Sequence, residues 1–340
     1  MMSFFGFSLT FIMTIKNQCL IIFFMLIFQT VTGQLKYDYN WVIGYNSESG
    51  HPLHGNPILN FDEGTLNIYK EYLPVEYSFT NSTMSDKEGN IIFSTNGCFI
   101  TDSTFEIMEN GQNLNPGEVH NSNCPAGYTV LRDVFAIPLP ENENNYFLFH
   151  QAKRFNQTSP FVTTDKLYYS VVNMELNNGL GKVTEKNVEI LSDTLNSANL
   201  SAVKHSNNKD WWILTQKWKS NTFFTILFTN NGIEEIYEQK LGLQTAFDAP
   251  STGQSLFSFD GNMYAHFNKT DQVYLYDFNR ETGSLSNFQH LIATDSIISV
   301  GGIAFSPNNR FLYVSAQFNI YQFDLWAPDI QASKVEVGTY

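Results

Sequence analysis

One structural unit recurs five times along the chain and constrains the fold more than any other feature. Each copy has a polar turn, a strand of aromatic and aliphatic residues, a gap and a second such strand. The turns lie near residues 90, 145, 209, 262 and 310, so successive copies are 55, 64, 53 and 48 residues apart. The copies read SDKEGN then IIFST, ENENN then YFLFH, HSNNKD then WWILT, DGN then MYAHF, and SPNNR then FLYVSA. Several short strands in a repeat of this length are typical of β-propeller blades.

The strand pattern predicts an all-β protein whose units stack on one another. No window of the sequence shows the sustained apolar period of 3.6 residues that marks an amphipathic helix. A single four-stranded blade has two apolar faces and cannot bury both alone, whereas stacked blades bury them and protect the strand edges. We therefore predict a β-propeller of four-stranded blades over residues 34–340. The alternative is a two-sheet sandwich of similar strand content.

Composition excludes two classes of partner. Hydrophobic residues make up 43% of the 340 residues, which is enough for a sizeable core, and only 15% are charged. Acidic residues outnumber basic ones 33 to 19, which gives a formal net charge of −14. Nucleic acids and anionic membranes attract proteins with a basic surface, so we expect neither as a partner.

The N-terminus has the three parts of a secretory signal peptide. Lys16 precedes ten apolar residues, Cys19 to Phe28, and the small and polar residues Gln29 to Gly33 follow. This order predicts a signal peptide over residues 1–33, with cleavage near Gly33–Gln34. The mature protein is then secreted or held at the cell surface, without insertion into the membrane. The alternative is a retained membrane anchor, which would need about twenty apolar residues, whereas Lys16 interrupts the run.

Two cysteines remain in the mature chain once Cys19 leaves with the signal peptide. Cys98 and Cys124 lie 26 positions apart and form an even pair in an oxidising compartment. They are candidates for a disulfide, and the alternative is two thiols buried as small hydrophobic side chains. The sequence contains no CxxC pair, so it indicates neither a zinc site nor thioredoxin-type redox chemistry.

Motifs for catalysis or metal binding are scarce, and we predict neither a cofactor nor a metal. His51 and His54 are three positions apart, but no helix and no clustered carboxylates accompany them. Asp86 to Asn90 lacks the glutamate that completes a calcium loop and is better explained as a hairpin turn. The sequence signatures of serine hydrolases, zinc proteases, P-loop proteins and dinucleotide-binding proteins are absent. A pair of carboxylates for glycoside hydrolysis stays open, because such pairs meet in space and not in sequence.

The densest cluster of polar and aromatic residues surrounds the third turn. Lys204 and His205 come just before this turn, and Trp211, Trp212 and Trp218 follow it. Aromatic side chains beside a charged group can hold a sugar or a peptide. We therefore predict Lys204, His205 and Trp218 as candidate binding residues. The alternative is that tryptophans in a blade strand pack against the next blade.

Several segments resemble the N-terminal propeller region of large surface proteins from gliding bacteria that use type IX secretion. The segments are NWVIGYN (40–46), SDKEGNIIFSTNG (85–97), MENG (108–111), LYYSVVNMELNNGLGKVTEKN (167–187), SAVKHSNNKDWWILTQKWKSNTFFTILFTNNG (201–232), YDFNRETGSLSN (276–287), GIAFSPNNRFLYVS (302–315) and IYQFDL (320–325). The resemblance runs from about residue 40 to the end of the chain. It implies a WD40-like or YVTN-like propeller of the seven-bladed type. It also implies contact with the type IX secretion machinery where a sorting domain is present.

The chain departs from that family at two positions and in its length. The family usually has an acidic residue followed by Gly where this chain has Phe79-Thr80, and Asp where it has Asn96. At roughly fifty residues per blade, seven blades need more chain than residues 34–340 supply. We therefore expect five to six blades, the last one partial, in a chain truncated at Tyr340.

The sequence is compatible with two functions from different classes, and a purely structural spacer is the third alternative. The first is an exported, non-enzymatic module that binds protein or glycan at the cell surface, in adhesion or gliding motility. The alternative is a secreted propeller enzyme such as a lactonase or glycosidase. An enzyme would bring carboxylates or histidines with perturbed pKa values together at one mouth of the ring. Fold alone does not separate the two.

Overall fold

Six antiparallel sheets follow one another along the chain and form the blades of the propeller. The structure, a computed structural model, describes residues 36–45, 55–71, 73–77, 80–128, 134–156, 162–197, 199–244, 253–268, 272–294, 301–316 and 318–339. The predicted signal peptide, residues 1–33, lies outside the described residues, as do His51, His54 and Phe79. Within the described ranges, no helix has the length and apolar character needed to cross a membrane.

Blades 1 and 2 contain three strands each within the described residues. Their strands are β1 (Asn40–Val42), β2 (Asn56–Asn60) and β3 (Asn67–Glu71), then β4 (Ser82–Ser85), β5 (Ile91–Thr95) and β6 (Ile100–Asp102). A 3-10 turn, Asp62–Gly64, joins β2 to β3. The connection from blade 2 to blade 3 contains a short helix, α1 (Glu118–Asn123).

Blades 3 to 6 contain four strands each, hydrogen-bonded side by side in chain order. Blade 3 consists of β7 (Val134–Leu139), β8 (Asn142–Phe155), β9 (Val162–Asn173) and β10 (Lys182–Leu195), with a 3-10 turn, Asn177–Gly179, between the last two. Blade 4 consists of β11 (Ser201–Lys204), β12 (Trp211–Gln216), β13 (Thr222–Thr229) and β14 (Gly232–Lys240). Blade 5 consists of β15 (Gly253–Phe257), β16 (Met263–Asn268), β17 (Gln272–Asn279) and β18 (Ser284–Leu291). Blade 6 consists of β19 (Gly301–Phe305), β20 (Phe311–Ala316), β21 (Asn319–Asp324) and β22 (Val335–Thr339).

The predicted all-β propeller is confirmed, but the seven-bladed type is wrong, because the structure has six blades. The five predicted turns lie at the junction of the first and second strands of blades 2 to 6, as the repeat required. The sixth blade, expected to be partial, has all four strands, and the three-stranded blades are the first two. The spacing of the turns determines the length of a blade but not the number of blades. The number seven came from the resemblance alone.

The core consists of five apolar clusters, each of which lies between two consecutive blades. Strand β12 shows how alternation builds them. Ile213 belongs to the cluster between blades 3 and 4, whereas Trp212 and Leu214 belong to the cluster between blades 4 and 5. Successive side chains of a strand point to opposite faces of its sheet, so one strand serves two interfaces. Trp212 thus packs against the next blade.

The outer faces of the first and last blades are less covered. Among the described residues, no apolar cluster joins blade 6 to blade 1. Large apolar side chains are more than half exposed on blade 1, at Trp41, Ile68 and Tyr69, and on blade 6, at Phe318 and Trp326.

The two ends of the blades differ in their connections. We call the end that carries the links from one blade to the next the upper end; it also carries the turns between second and third strands. The lower end carries the turns between first and second strands, including the Asp86–Asn90 turn. There Asp86 Oδ1 accepts the backbone N–H groups of Glu88 at 3.0 Å and Asn90 at 2.8 Å, so this segment is a hairpin turn.

Arg280 joins blade 5 to blade 4 at the lower end. Its Nε donates to the Lys204 carbonyl at 2.8 Å, and its Nη2 donates to the His205 carbonyl at 3.1 Å and to Asn208 Oδ1 at 3.0 Å. In return, the Arg280 carbonyl accepts the indole N–H of Trp212 at 2.8 Å. A single guanidinium therefore bonds three acceptors of the turn that precedes β12.

We predict that Arg280→Met lowers the free energy of unfolding by about 2 kcal/mol, because hydrogen bonds to a charged group contribute about 1.5–3 kcal/mol each when partly buried. Urea unfolding followed by circular dichroism measures the change. Arg154→Met is the matched control, since Arg154 has no hydrogen bond or ion pair within the described residues. Equal stability of the two variants would show that Arg280 does not join the blades.

Candidate functional site

The structure separates the residues that the sequence analysis grouped as a binding cluster. Lys204 and His205 lie at the lower end, where β11 turns into β12. Trp218 lies in the upper-end turn that follows β12. The six residues of β12 separate Lys204 and His205 from Trp218, and this strand runs over most of the height of the blade. The three candidates therefore cannot form one site.

At the lower end, the side chains of Lys204 and His205 are engaged within the fold. The Lys204 ammonium donates to the Lys209 carbonyl at 2.8 Å and lies 4.0 Å from the centroid of the Trp211 ring. Burial lowers the pKa of the Lys204 amine to about 8. The His205 Nε2 is 3.1 Å from the Glu281 carbonyl, to which it donates across the joint between blades 4 and 5. Both residues stabilise this turn.

A cavity of about 430 Å³ at the upper end, between blades 3 and 4, brings Trp218 together with residues distant in sequence. We call it the upper cavity. Its volume lies within the range of small-molecule sites. Its lining residues are Glu118, Arg154, Phe155, Asn156, Thr163, Thr194 and Trp218.

Backbone hydrogen bonds fix the walls of the upper cavity. The Phe155 backbone N–H donates to Glu118 Oε1 at 2.7 Å, which ties α1 to the end of β8. The Trp218 backbone N–H donates to the Thr194 carbonyl at 2.9 Å, which ties blade 4 to the last strand of blade 3. The cavity is thus built from five segments, each held in place by a hydrogen bond or by its strand.

A disulfide joins Cys98 and Cys124, whose Cα atoms are 5.6 Å apart. Of the two alternatives that the sequence left open, the structure has the disulfide. It anchors the end of α1 to blade 2, and the first residue of α1, Glu118, lines the upper cavity. Asn96, where the resembling family has Asp, is buried nearby, and its Oδ1 accepts the Cys98 backbone N–H at 3.0 Å.

Three side chains that line the upper cavity have hydrogen-bond donors with no acceptor among the described residues. Thr163 is 2% exposed, and its hydroxyl has no partner among the described residues. The buried indole N–H of Trp218 likewise has no acceptor there. The exposed guanidinium of Arg154 forms no hydrogen bond or ion pair within the same ranges. A buried polar group without a partner costs about 1–3 kcal/mol, so a water molecule or a ligand that bonds to the Thr163 hydroxyl and the Trp218 indole would stabilise both groups.

Charges of both signs lie beside these donors. Lys153 precedes Arg154 in β8 and is 3% exposed; its ammonium donates to Thr164 Oγ1 at 3.0 Å and to Ser197 Oγ at 2.8 Å. Burial raises the pKa of the nearby Asp165 carboxyl, and the Arg154 guanidinium opposes that shift. In a chain with a net charge of −14, this surface is locally balanced and can accept an anion.

Two histidines are buried in the interior of the blades, away from the upper cavity. His150 Nδ1 donates to Asn115 Oδ1 at 2.7 Å, and its Nε2 accepts the hydroxyl of Ser170 at 2.9 Å, an arrangement that suits the neutral ring. Burial lowers the pKa of His150 and of His266 to about 3. Both rings therefore stay neutral near pH 7.

A second cavity, of about 590 Å³, follows the innermost strands of blades 3 to 6. We call it the axial cavity. Its walls are mainly apolar, and its polar groups include Gln254 and the hydroxyls of Ser201 and Ser255, which are 2.6 Å apart. The residues that the structure describes along this wall include no carboxylate and no imidazole. In the described part of the chain, no three His, Cys, Asp or Glu side chains group as metal ligands would.

Comparison with known proteins adds only remote similarities. No protein-family model matches the chain, and no curated protein matches it. Among solved structures, a protein from Lactobacillus plantarum is 12% identical, with a TM-score of 0.46 over 88% of this chain and 81% of that one. The Cps50 (Swd1) β-propeller domain of Myceliophteria thermophila is 11% identical, with a TM-score of 0.45 over 91% and 89%. The periplasmic gluconolactonase of Pseudomonas aeruginosa is 12% identical, with a TM-score of 0.37 over 88% and 97%. At these values we take no activity, ligand or partner from them.

The buried histidines predict that stability falls as the pH drops below about 6.5. Between that value and about 3, the unfolded chain binds protons at His150 and His266 and the folded chain does not, so acid favours unfolding. Each ring contributes a slope of up to about 1.4 kcal/mol per pH unit. Urea unfolding at pH 7, 6 and 5 measures the slope, and His150→Gln should lower it by up to half. An unchanged slope in that variant would contradict the assignment.

Proposed function

We propose that this chain is the ligand-binding propeller of an exported protein and that a glycan or protein ligand binds in the upper cavity. The observation that carries the proposal is the convergence of three unused donors, on Thr163, Trp218 and Arg154, around one cavity. The cavity combines an aromatic ring, a cation, a carboxylate and hydroxyl groups, a composition that suits a polar ligand.

Export is the second part of the proposal. The order of charged, apolar and small residues over 1–33 supports a cleaved signal peptide. The disulfide between Cys98 and Cys124 supports an oxidising compartment, since such bonds are rare in the cytosol. The resemblance to surface proteins of gliding bacteria supports a place at the cell surface, delivery by the type IX machinery and a role in adhesion or motility.

The unused hydroxyl of Thr163 provides a direct test. Thr163→Val keeps the shape and removes the unpaired oxygen, so we expect unchanged or slightly higher stability, because no hydrogen bond is lost. The same change should weaken ligand binding by about tenfold, if that hydroxyl bonds the ligand. Stability is measured by urea unfolding, and binding on an array of defined neutral and acidic oligosaccharides and peptides. Trp218→Phe should weaken binding similarly.

Trp326→Phe serves as the control, because Trp326 is 67% exposed on blade 6, away from the upper cavity. We expect this variant to bind as the unaltered chain does. If no member of the array binds, or if Thr163→Val and Trp218→Phe bind as strongly as the control, the upper cavity is not the ligand site.

Export is tested by expressing the full chain in a bacterium and sequencing the N-terminus of the exported product. We expect it to begin at about Gln34, with Cys98 and Cys124 oxidised. The same chain without residues 1–33 should stay in the cytoplasm with two free thiols. An exported product that retains residues 1–33, or a full chain that remains inside the cell, would refute the signal peptide.

A further inference from the structure

We propose that the ligand of the upper cavity is an acidic saccharide, whose carboxylate is bound by Arg154 and whose sugar ring lies against Trp218. This inference rests on the proposed function and names the ligand class for the same site. It is argued from the hydrogen-bonding chemistry, the charge and the aromatic surface of the described lining residues.

The unused groups of the cavity are donors, and two of them cannot act in any other way. A guanidinium has five N–H donors and no acceptor, and an indole has one N–H donor and no acceptor. A ligand that bonds to both Arg154 and Trp218 must therefore supply hydrogen-bond acceptors. A carboxylate meets this need best, since its two oxygens fit the planar fork of a guanidinium with two parallel hydrogen bonds.

Three cations and two carboxylates, Glu118 and Asp165, line the cavity or lie near it, so its charge favours an anion over a neutral ligand by a small margin. Arg154 has no carboxylate partner within hydrogen-bond distance in the described ranges. Its charge acts on the nearby Asp165 carboxyl, whose pKa it lowers against the larger effect of burial. The buried ammonium of Lys153 adds a second positive charge at the preceding position of β8. The ammonium of Lys219 lies 4.9 Å from the centroid of the Trp218 ring and adds a third.

The rest of the lining suits the hydroxyls and the apolar face of a sugar ring. Glu118 is held in place because its Oε1 accepts the Phe155 backbone N–H at 2.7 Å, and a carboxylate so oriented can accept sugar hydroxyls. Phe155 is 43% exposed on the same wall. Together with Trp218 it offers aromatic surface to the C–H face of a pyranose. A simple inorganic anion would bind to Arg154 but would not contact the Glu118 carboxylate or the aromatic rings of Phe155 and Trp218.

The test compares tetragalacturonate with its methyl ester by isothermal titration calorimetry on the purified chain. The two compounds share their rings and hydroxyls, and only the acid has carboxylates. We expect the acid to bind about tenfold to one-hundredfold more tightly than the ester, the range for a hydrogen-bonded charge pair. Arg154→Gln should remove this preference, so that the acid and the ester bind with about equal affinity. Rising salt should weaken binding of the acid to the unaltered chain.

Lys209→Gln is the charge-matched control, because Lys209 lies in the lower-end turn of blade 4 in an ion pair with Glu141. It should keep the preference for the acid. If acid and ester bind equally, or if Arg154→Gln keeps the preference, the acidic saccharide is wrong. If, in addition, Trp218→Phe does not weaken binding of either compound, the upper cavity is not the ligand site, and the proposed function is wrong as well. If Trp218→Phe weakens binding of both compounds and the acid is not preferred, the upper cavity is still the binding site, and only the ligand class is wrong.

Discussion

The structure depends on apolar contacts between the faces of consecutive sheets. Each of the five clusters takes side chains from two neighbouring blades, and none of the clusters formed by the described residues lies within a single blade. The cluster between blades 4 and 5 illustrates this, since Trp212 and Phe223 meet Tyr264 and Tyr276 across the interface. Because each strand buries alternate residues on opposite faces, a blade is stable only where a neighbour covers it. Arg280, Lys204, Thr163 and Trp218 lie instead at the ends of the blades.

The two ends use these polar groups differently. At the lower end, Arg280, Lys204 and His205 satisfy one another and the turns around them. At the upper end, between blades 3 and 4, Thr163 and Trp218 retain donors that the described residues leave unused. The donors at the upper end line a cavity, whereas the side chains of Lys204 and His205 at the lower end are hydrogen-bonded within the fold.

The local parts of the fold could be predicted from the sequence, and the long-range parts could not. The turns that precede β5, β8, β12, β16 and β20 were predicted because a polar turn followed by an aromatic strand is a local pattern. The number of blades was wrong because no local pattern encodes it. The three-stranded form of blades 1 and 2 was missed for the same reason.

The site was only partly predictable. Trp218 was named, but it was grouped with Lys204 and His205, which lie at the other end of β12. Closeness in sequence was mistaken for closeness in space, although a strand of six residues carries the chain from one end of the blade to the other. Glu118, Arg154 and Thr163 were missed because α1, β8 and β9 contribute them separately. The one available signal was Arg154, a cation at the end of an apolar strand with no acid beside it in sequence.

The central claim is that the upper cavity binds a ligand through Arg154 and Trp218. A crystal structure of the chain with tetragalacturonate tests it most directly. The account predicts one ligand carboxylate within hydrogen-bond distance of the Arg154 guanidinium and a sugar ring against Trp218. A ligand bound beside Lys204 at the lower end, or in the axial cavity, would contradict it.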